Sequence, residues 1–128
     1  MEKSIEKLKK RGLKVTANRI AKTWFVNGEN SKYFYLCSNA GKESNLESAN
    51  NALVAMMNWN GFKNLKRIKS KTLIIWGDKD KSYNFDQVDA LNKNIKNSEL
   101  QIFKGCSHNA HLEKPDKFNV CVKNFLQK

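Results

Sequence analysis

The chain has 128 residues, is 40% hydrophobic and has a mean hydropathy of −0.69, which suits one soluble domain with a modest core. No apolar run approaches the roughly 20 residues that cross a bilayer, and Met1 to Lys7 lacks the apolar centre of a secretory signal, so a cytoplasmic protein without membrane attachment is expected. Cys37, Cys106 and Cys121 form no C-x-x-C pair; neither a zinc site nor a disulfide framework is signalled, free thiols are expected, and no cofactor is implied.

The net charge of +12 raises the question of a nucleic-acid partner. Only Arg11, Arg19 and Arg67 among the 24 basic residues are arginines, the side chain best suited to bidentate phosphate and base contacts. Lysine and asparagine are abundant together, as a compositional bias would make them. Both observations make nucleic-acid binding the disfavoured reading. The charge is nevertheless uneven, with 15 basic and five acidic side chains in residues 1–72 against nine and seven in residues 73–128.

Residues 2–22 read as helical, with Ile5, Leu8, Val15 and Ile20 set among charges and Gly12 as an interruption. Trp24-Phe25-Val26 is an apolar patch closed by the turn signal Asn27-Gly28. Tyr33 to Leu36 fits strand or helix equally, and Asn39-Ala40-Gly41-Lys42 reads as a loop. Ser44-Asn45-Leu46-Glu47 fits a capping box, in which the serine caps backbone donors and the glutamate reaches back. Leu46, Ala49, Leu53, Met56 and Met57 follow at near-helical spacing, and Asn60-Gly61 ends the run.

Thr72 to Trp76 is short, continuous and rich in branched residues, the pattern of a strand buried on both faces of a parallel sheet. Asn84 to Asn97 reads as a helix, with Phe85, Val88, Leu91 and Ile95 on one side. Leu100, Gln101 and Ile102 alternate as a strand. Pro115 suits the first turn of a last helix, whose stripe is Phe118, Cys121 or Val122, and Phe125. Strand, helix, strand, helix is the signature of a parallel α/β arrangement, here preceded by a mostly helical half.

Two loops carry candidate chemistry. Asp80 lies four residues past Trp76, and His108 lies five past Phe103. Reactive groups in open α/β sheets collect beyond the carboxyl ends of strands. If the strands are neighbours, both loops open at one edge and an aspartate can fix the tautomer of an imidazole that serves as general base. Asp78 competes for the acid's role. His111, three residues beyond His108, could suggest a metal pair, but no further ligand cluster supports one.

Trp76-Gly77-x-x-Asp80 and Gly105-x-x-His108, followed by Glu113-x-Pro115 and Phe118, resemble the acid loop, histidine loop and last helix of the α/β-hydrolase fold family. The resemblance covers residues 66–128, taken as the C-terminal third of such a core with two parallel strands and flanking helices. It assigns the base to His108 and its partner to Asp80. Ser107 stands where many members have a glycine. Residues 1–65 resemble, less specifically, the helical cap that roofs the substrate pocket in capped members. Met56, Met57 and Trp59 then either line a pocket for a small-molecule substrate or belong to the core. The implied activity is serine hydrolysis of an ester or related acyl bond, or of a carbon–carbon bond next to a carbonyl.

No G-x-S-x-G nucleophile elbow and no H-G or G-G oxyanion segment occurs in the 128 residues. Gly105-Cys106-Ser107-His108-Asn109 lacks the second glycine. The expectation is a truncated chain or half of a split enzyme, inactive alone. Two strands would leave an unpaired sheet edge, which a missing N-terminal half, a companion chain or a homo-oligomer would cover.

Overall fold

A computed structural model describes residues 2–128. The helices are α1 (Glu2–Arg11), α2 (Leu13–Thr23), α3 (Phe34–Glu43), α4 (Leu46–Asn58), α5 (Phe85–Asn94), α6 (Ala110–Glu113) and α7 (Pro115–Leu126). The strands are β1 (Thr72–Gly77) and β2 (Ser98–Phe103), and short 3-10 turns occupy Gly28–Asn30 and Phe62–Arg67. The chain forms two compact units: residues up to Lys22 with Asn27–Asn60, and Thr23–Val26 with Gly61–Lys128. Among the described residues no helix is long and apolar enough to cross a membrane.

The first unit is helical. Gly12 separates α1 from α2, as its place in the sequence predicts. Its buried side chains include Leu8, Thr16, Ala21 and Ser38, with the Ser38 hydroxyl of α3 donating to Asn18 Oδ1 of α2. Two local expectations need correction. Residues 39–42 are not a loop but the second half of α3. Gly41 serves close approach there: a Cβ on it would lie 2.8 Å from the Ala17 Cβ of α2, so the glycine marks a helix contact and not a turn. The N-cap of α4 is Asn45, whose Oδ1 accepts from Ser48 N at 2.7 Å, while Ser44 closes α3. Asparagine caps as well as serine, so the cap stands one residue later than predicted, as a single hydrogen bond and not a reciprocal box.

In the second unit β1 and β2 pair in parallel, Thr72 opposite Ser98 through Gly77 opposite Phe103. The crossover helix α5 begins at a full capping box: Asn84 Oδ1 accepts from Gln87 N, and Gln87 Oε1 accepts from Asn84 N, both at 3.0 Å. It ends at Asn94, three residues before the predicted boundary. β1 is only half-buried from Thr72 to Trp76, contrary to the expectation of a strand covered on both faces. These are the only two strands among the described residues.

The core of this unit lies under the loop that follows β2. Phe103, Cys106 and Ala110 are buried together, and Ile75, Phe118 and Cys121 pack against them. Phe118 and Cys121 come from α7, which starts at Pro115, where the missing N–H costs no helical hydrogen bond. Residues 23–26 join the unit through hydrogen bonds to the loop after β2, from Asn109 N to the Trp24 carbonyl and from the Ser107 hydroxyl to the Thr23 carbonyl.

Candidate active site

Because the strands are parallel neighbours in register, the turn leaving β1 and the loop leaving β2 emerge side by side. Backbone hydrogen bonds knit them together: Asp78 N donates to Phe103 O at 3.2 Å, and Lys79 N to Cys106 O at 2.8 Å. Gly77 permits the contact. A Cβ there would collide with the carbonyl oxygens of Cys106 and Ser107 and lie 2.7 Å from the Cys106 carbonyl carbon. Gly105 has a φ of 70°, a left-handed conformation that glycine adopts without steric cost, and its N–H donates to Asp78 Oδ1 at 2.6 Å. Asp78 thus ties the two loops together and does not face the histidine.

Asp80 does. Its Oδ2 lies 2.9 Å from His108 Nδ1, and its side chain is only 5% exposed against 31% for the imidazole. The other oxygen, Oδ1, accepts from the backbone N–H groups of Ser82 at 2.6 Å and Tyr83 at 3.3 Å. Three donors therefore converge on one carboxylate and fix its plane. An ionised carboxylate only accepts, so Nδ1 must carry the proton and donate, which leaves Nε2 of a neutral ring as an acceptor. The tautomer follows from this chemistry. A ring held so can take a proton at Nε2 while Asp80 stabilises the resulting positive charge.

The ring has two aromatic neighbours. Tyr83 stacks with it at a centroid distance of 5.7 Å and 25° between planes, and Trp24 lies at 5.6 Å and 32°. Tyr83 is positioned by the same turn as Asp80, and its carbonyl accepts from Trp76 Nε1 at 3.0 Å. Trp24 is brought in by the segment 23–26. Its carbonyl accepts from Asn109 N at 3.1 Å, and the neighbouring Thr23 carbonyl accepts from Ser107 Oγ at 3.1 Å.

The two side chains preceding His108 are unsuited to attack. Cys106 is wholly buried, and burial pushes its thiol up despite the opposing pull of Lys114, which starves it of thiolate. Ser107 is also wholly buried, with its hydroxyl committed to Thr23. His111 packs its ring at 5.8 Å from Phe118, and the described residues include no group of three His, Cys, Asp or Glu side chains that could hold a metal ion. Met56, Met57 and Trp59 are in the other unit, at the end of α4, and are 51%, 41% and 74% exposed.

Sequence reasoning passed over Trp24, Tyr83 and the bonding of Glu113. Trp24 and Tyr83 left no signal beyond being aromatic. Glu113 had one, its fixed place before Pro115 in the motif.

No family model matches the chain. A 62-residue stretch, 48% of the chain, is 45% identical to the 2-hydroxy-6-oxononadienedioate/2-hydroxy-6-oxononatrienedioate hydrolase of Escherichia coli, covering 22% of that protein. Among solved structures, the esterase from Exiguobacterium antarcticum superposes with a TM-score of 0.90 at 19% identity, over 99% of this chain and 47% of that one. The 2-hydroxy-6-oxo-6-phenylhexa-2,4-dienoate hydrolase of Rhodococcus sp. strain RHA1 superposes with a TM-score of 0.73 at 15% identity, over 95% and 47%. The chain thus spans about half the length of these structures and a smaller share of its sequence relative. The parallel strand pair with its crossover helix, the shared shape and the sequence match over 62 residues together give the chain the fold of a C-terminal portion of an α/β-hydrolase.

Proposed function

We propose that the chain supplies the general base and its orienting acid to a serine hydrolase whose nucleophile and oxyanion hole lie outside these 128 residues. The observation that carries this reading is the Asp80–His108 pair: a nearly buried carboxylate, itself held by two backbone donors, 2.9 Å from Nδ1 of a partly exposed imidazole. In this role His108 Nε2 takes the proton of a serine hydroxyl as it attacks a carbonyl carbon, then returns it to the leaving group. Asp80 holds the productive tautomer and offsets the imidazolium charge. Residues 66–128 form the catalytic edge of the core, joined by residues 23–26, and the rest of residues 1–65 is a cap-like segment whose candidate substrate contacts are Met56, Met57 and Trp59. The bond cleaved is an ester or related acyl bond, or a carbon–carbon bond beside a carbonyl. The second option is supported by the similarity to a 2-hydroxy-6-oxononadienedioate hydrolase and a 2-hydroxy-6-oxo-6-phenylhexa-2,4-dienoate hydrolase.

The test is complementation. The chain is co-expressed with a polypeptide that carries G-x-S-x-G, encoded upstream or separately. Turnover is then measured on p-nitrophenyl esters and on a 2-hydroxy-6-oxo-dienoate. Activity should require both polypeptides and fall by at least about a thousandfold in His108→Ala. Undiminished turnover in that variant would remove His108 from the mechanism. A stable self-assembly that turns over nothing would favour a non-catalytic remnant.

A further inference from the structure

We infer that Glu113 is a positioning residue that sets the placement of the His108 loop through the segment 23–26, an inference that rests on the proposed role of His108 as base. The loop that carries His108 runs only from Lys104 to Asn109, between β2 and α6. Its backbone is tied down on both sides of the histidine. Before it, Ser107 N donates to Glu113 Oε2 at 2.6 Å; after it, Asn109 N donates to Trp24 O at 3.1 Å. The second oxygen of Glu113, Oε1, accepts from Val26 N at 2.8 Å, across 87 residues of sequence. One carboxylate therefore fastens the histidine loop to the strip that carries Trp24, whose ring lies 5.6 Å from that of His108.

The chemistry of the bridge requires a carboxylate. Each oxygen faces one backbone N–H, and only an acceptor-only group satisfies both. Glutamine has nearly the same shape but turns one end into a donor, so one of the two N–H groups must then face an NH2. Both bonds are to a charged acceptor, the stronger kind of hydrogen bond. Glu113 does not touch the ring of His108. It acts through Ser107 and through Val26 and Trp24, by fixing where the ring stands over Asp80.

The test uses the 128-residue chain, labelled with 15N. Amide hydrogen exchange is followed at Ser107 and Val26, and the ring nitrogens of His108 report its tautomer. In Glu113→Gln, exchange at both amides should accelerate by at least about tenfold. The Nδ1–H form of His108 should lose its dominance, while the β1–β2 amides stay protected. A residue that merely supports the fold would leave the tautomer of a folded variant untouched. Glu113→Asp, which is one methylene shorter and reaches one donor at a time, gives an independent second reading. Unchanged amides and ring signals in a folded variant would overturn the inference. So would loss of fold in both variants, which would make Glu113 a folding element. The readout does not involve turnover, so a failed complementation leaves it standing, and a failed Glu113 test leaves the acid–base pair standing.

Discussion

Replacing Asp80 by asparagine should reverse the tautomer of His108. The carboxylate receives three donors, Ser82 N at 2.6 Å and Tyr83 N at 3.3 Å on Oδ1 and His108 Nδ1 on Oδ2 at 2.9 Å. Asparagine keeps one acceptor. Its carbonyl oxygen stays with the two backbone donors, because the alternative strands both of them, and its NH2 then points at Nδ1. Nδ1 must become the acceptor and the ring proton moves to Nε2, the atom that a base needs free. A hydrogen bond to a charged group contributes about 1.5–3 kcal/mol, so in the native protein the Nδ1–H form is favoured by about 10- to 150-fold over a ring without it. The substitution inverts that preference. The 15N spectrum of the imidazole, taken near pH ~9 where an ordinary histidine is neutral, reads the tautomer directly. In a complemented enzyme the rate should fall by about 10⁴, the loss known for a triad that keeps its geometry but carries the wrong tautomer. An Asp80→Asn chain that retains the Nδ1–H form, or a complemented enzyme that loses less than about threefold in rate, would refute this account of the pair.

Other outcomes are expected from the same geometry. Asp78→Ala should cost about 1.5–3 kcal/mol in urea unfolding, by freeing Gly105 N, yet leave the His108 tautomer unchanged, which separates the two neighbouring acids. Gly77→Ala should cost about 3 kcal/mol or more, because the added methyl meets the Cys106 and Ser107 carbonyls, backbone that cannot move without breaking the Lys79–Cys106 bond. A change under about 0.5 kcal/mol would show that the loop yields freely. Burial raises the Cys106 thiol above its ordinary value of 9.0, so its contribution to stability is complete below that pH and is lost as pH rises through the raised value. Urea midpoints from pH 7 to 11 should therefore fall more steeply in the native chain than in Cys106→Ala, and equal slopes would contradict the assignment. Under native conditions iodoacetamide should modify Cys106 last of the three cysteines.

Much of the second unit was legible because its signals are local. A branched apolar run forms β1, an alternating one forms β2, and Pro115 opens α7, within a few residues of where the sequence places them. The meeting of Asp80 and His108 was legible one step further on, since parallel neighbouring strands must release their loops at the same edge. The misreadings share a cause. Gly41 and Ser44 carry turn and cap propensities that packing overrode, as the contact with Ala17 and the cap at Asn45 show. The half-exposure of β1 depends on how much neighbouring sheet exists, which no property of its own six residues records.

The sequence by itself determined the elements of the second unit, the order of acid and histidine, and the absence of a nucleophile elbow from these 128 residues, because each is written in a short window of residue types. The motif resemblance already pointed to Asp80 over Asp78; only the tertiary structure decided that Asp78 is taken up by Gly105 N, that Trp24 and Tyr83 lie against the imidazole, and that Glu113 bridges Ser107 to Val26. Most of those contacts join residues 27 to 87 positions apart, or turn on which way a carboxylate points, and neither leaves a periodic trace in the chain.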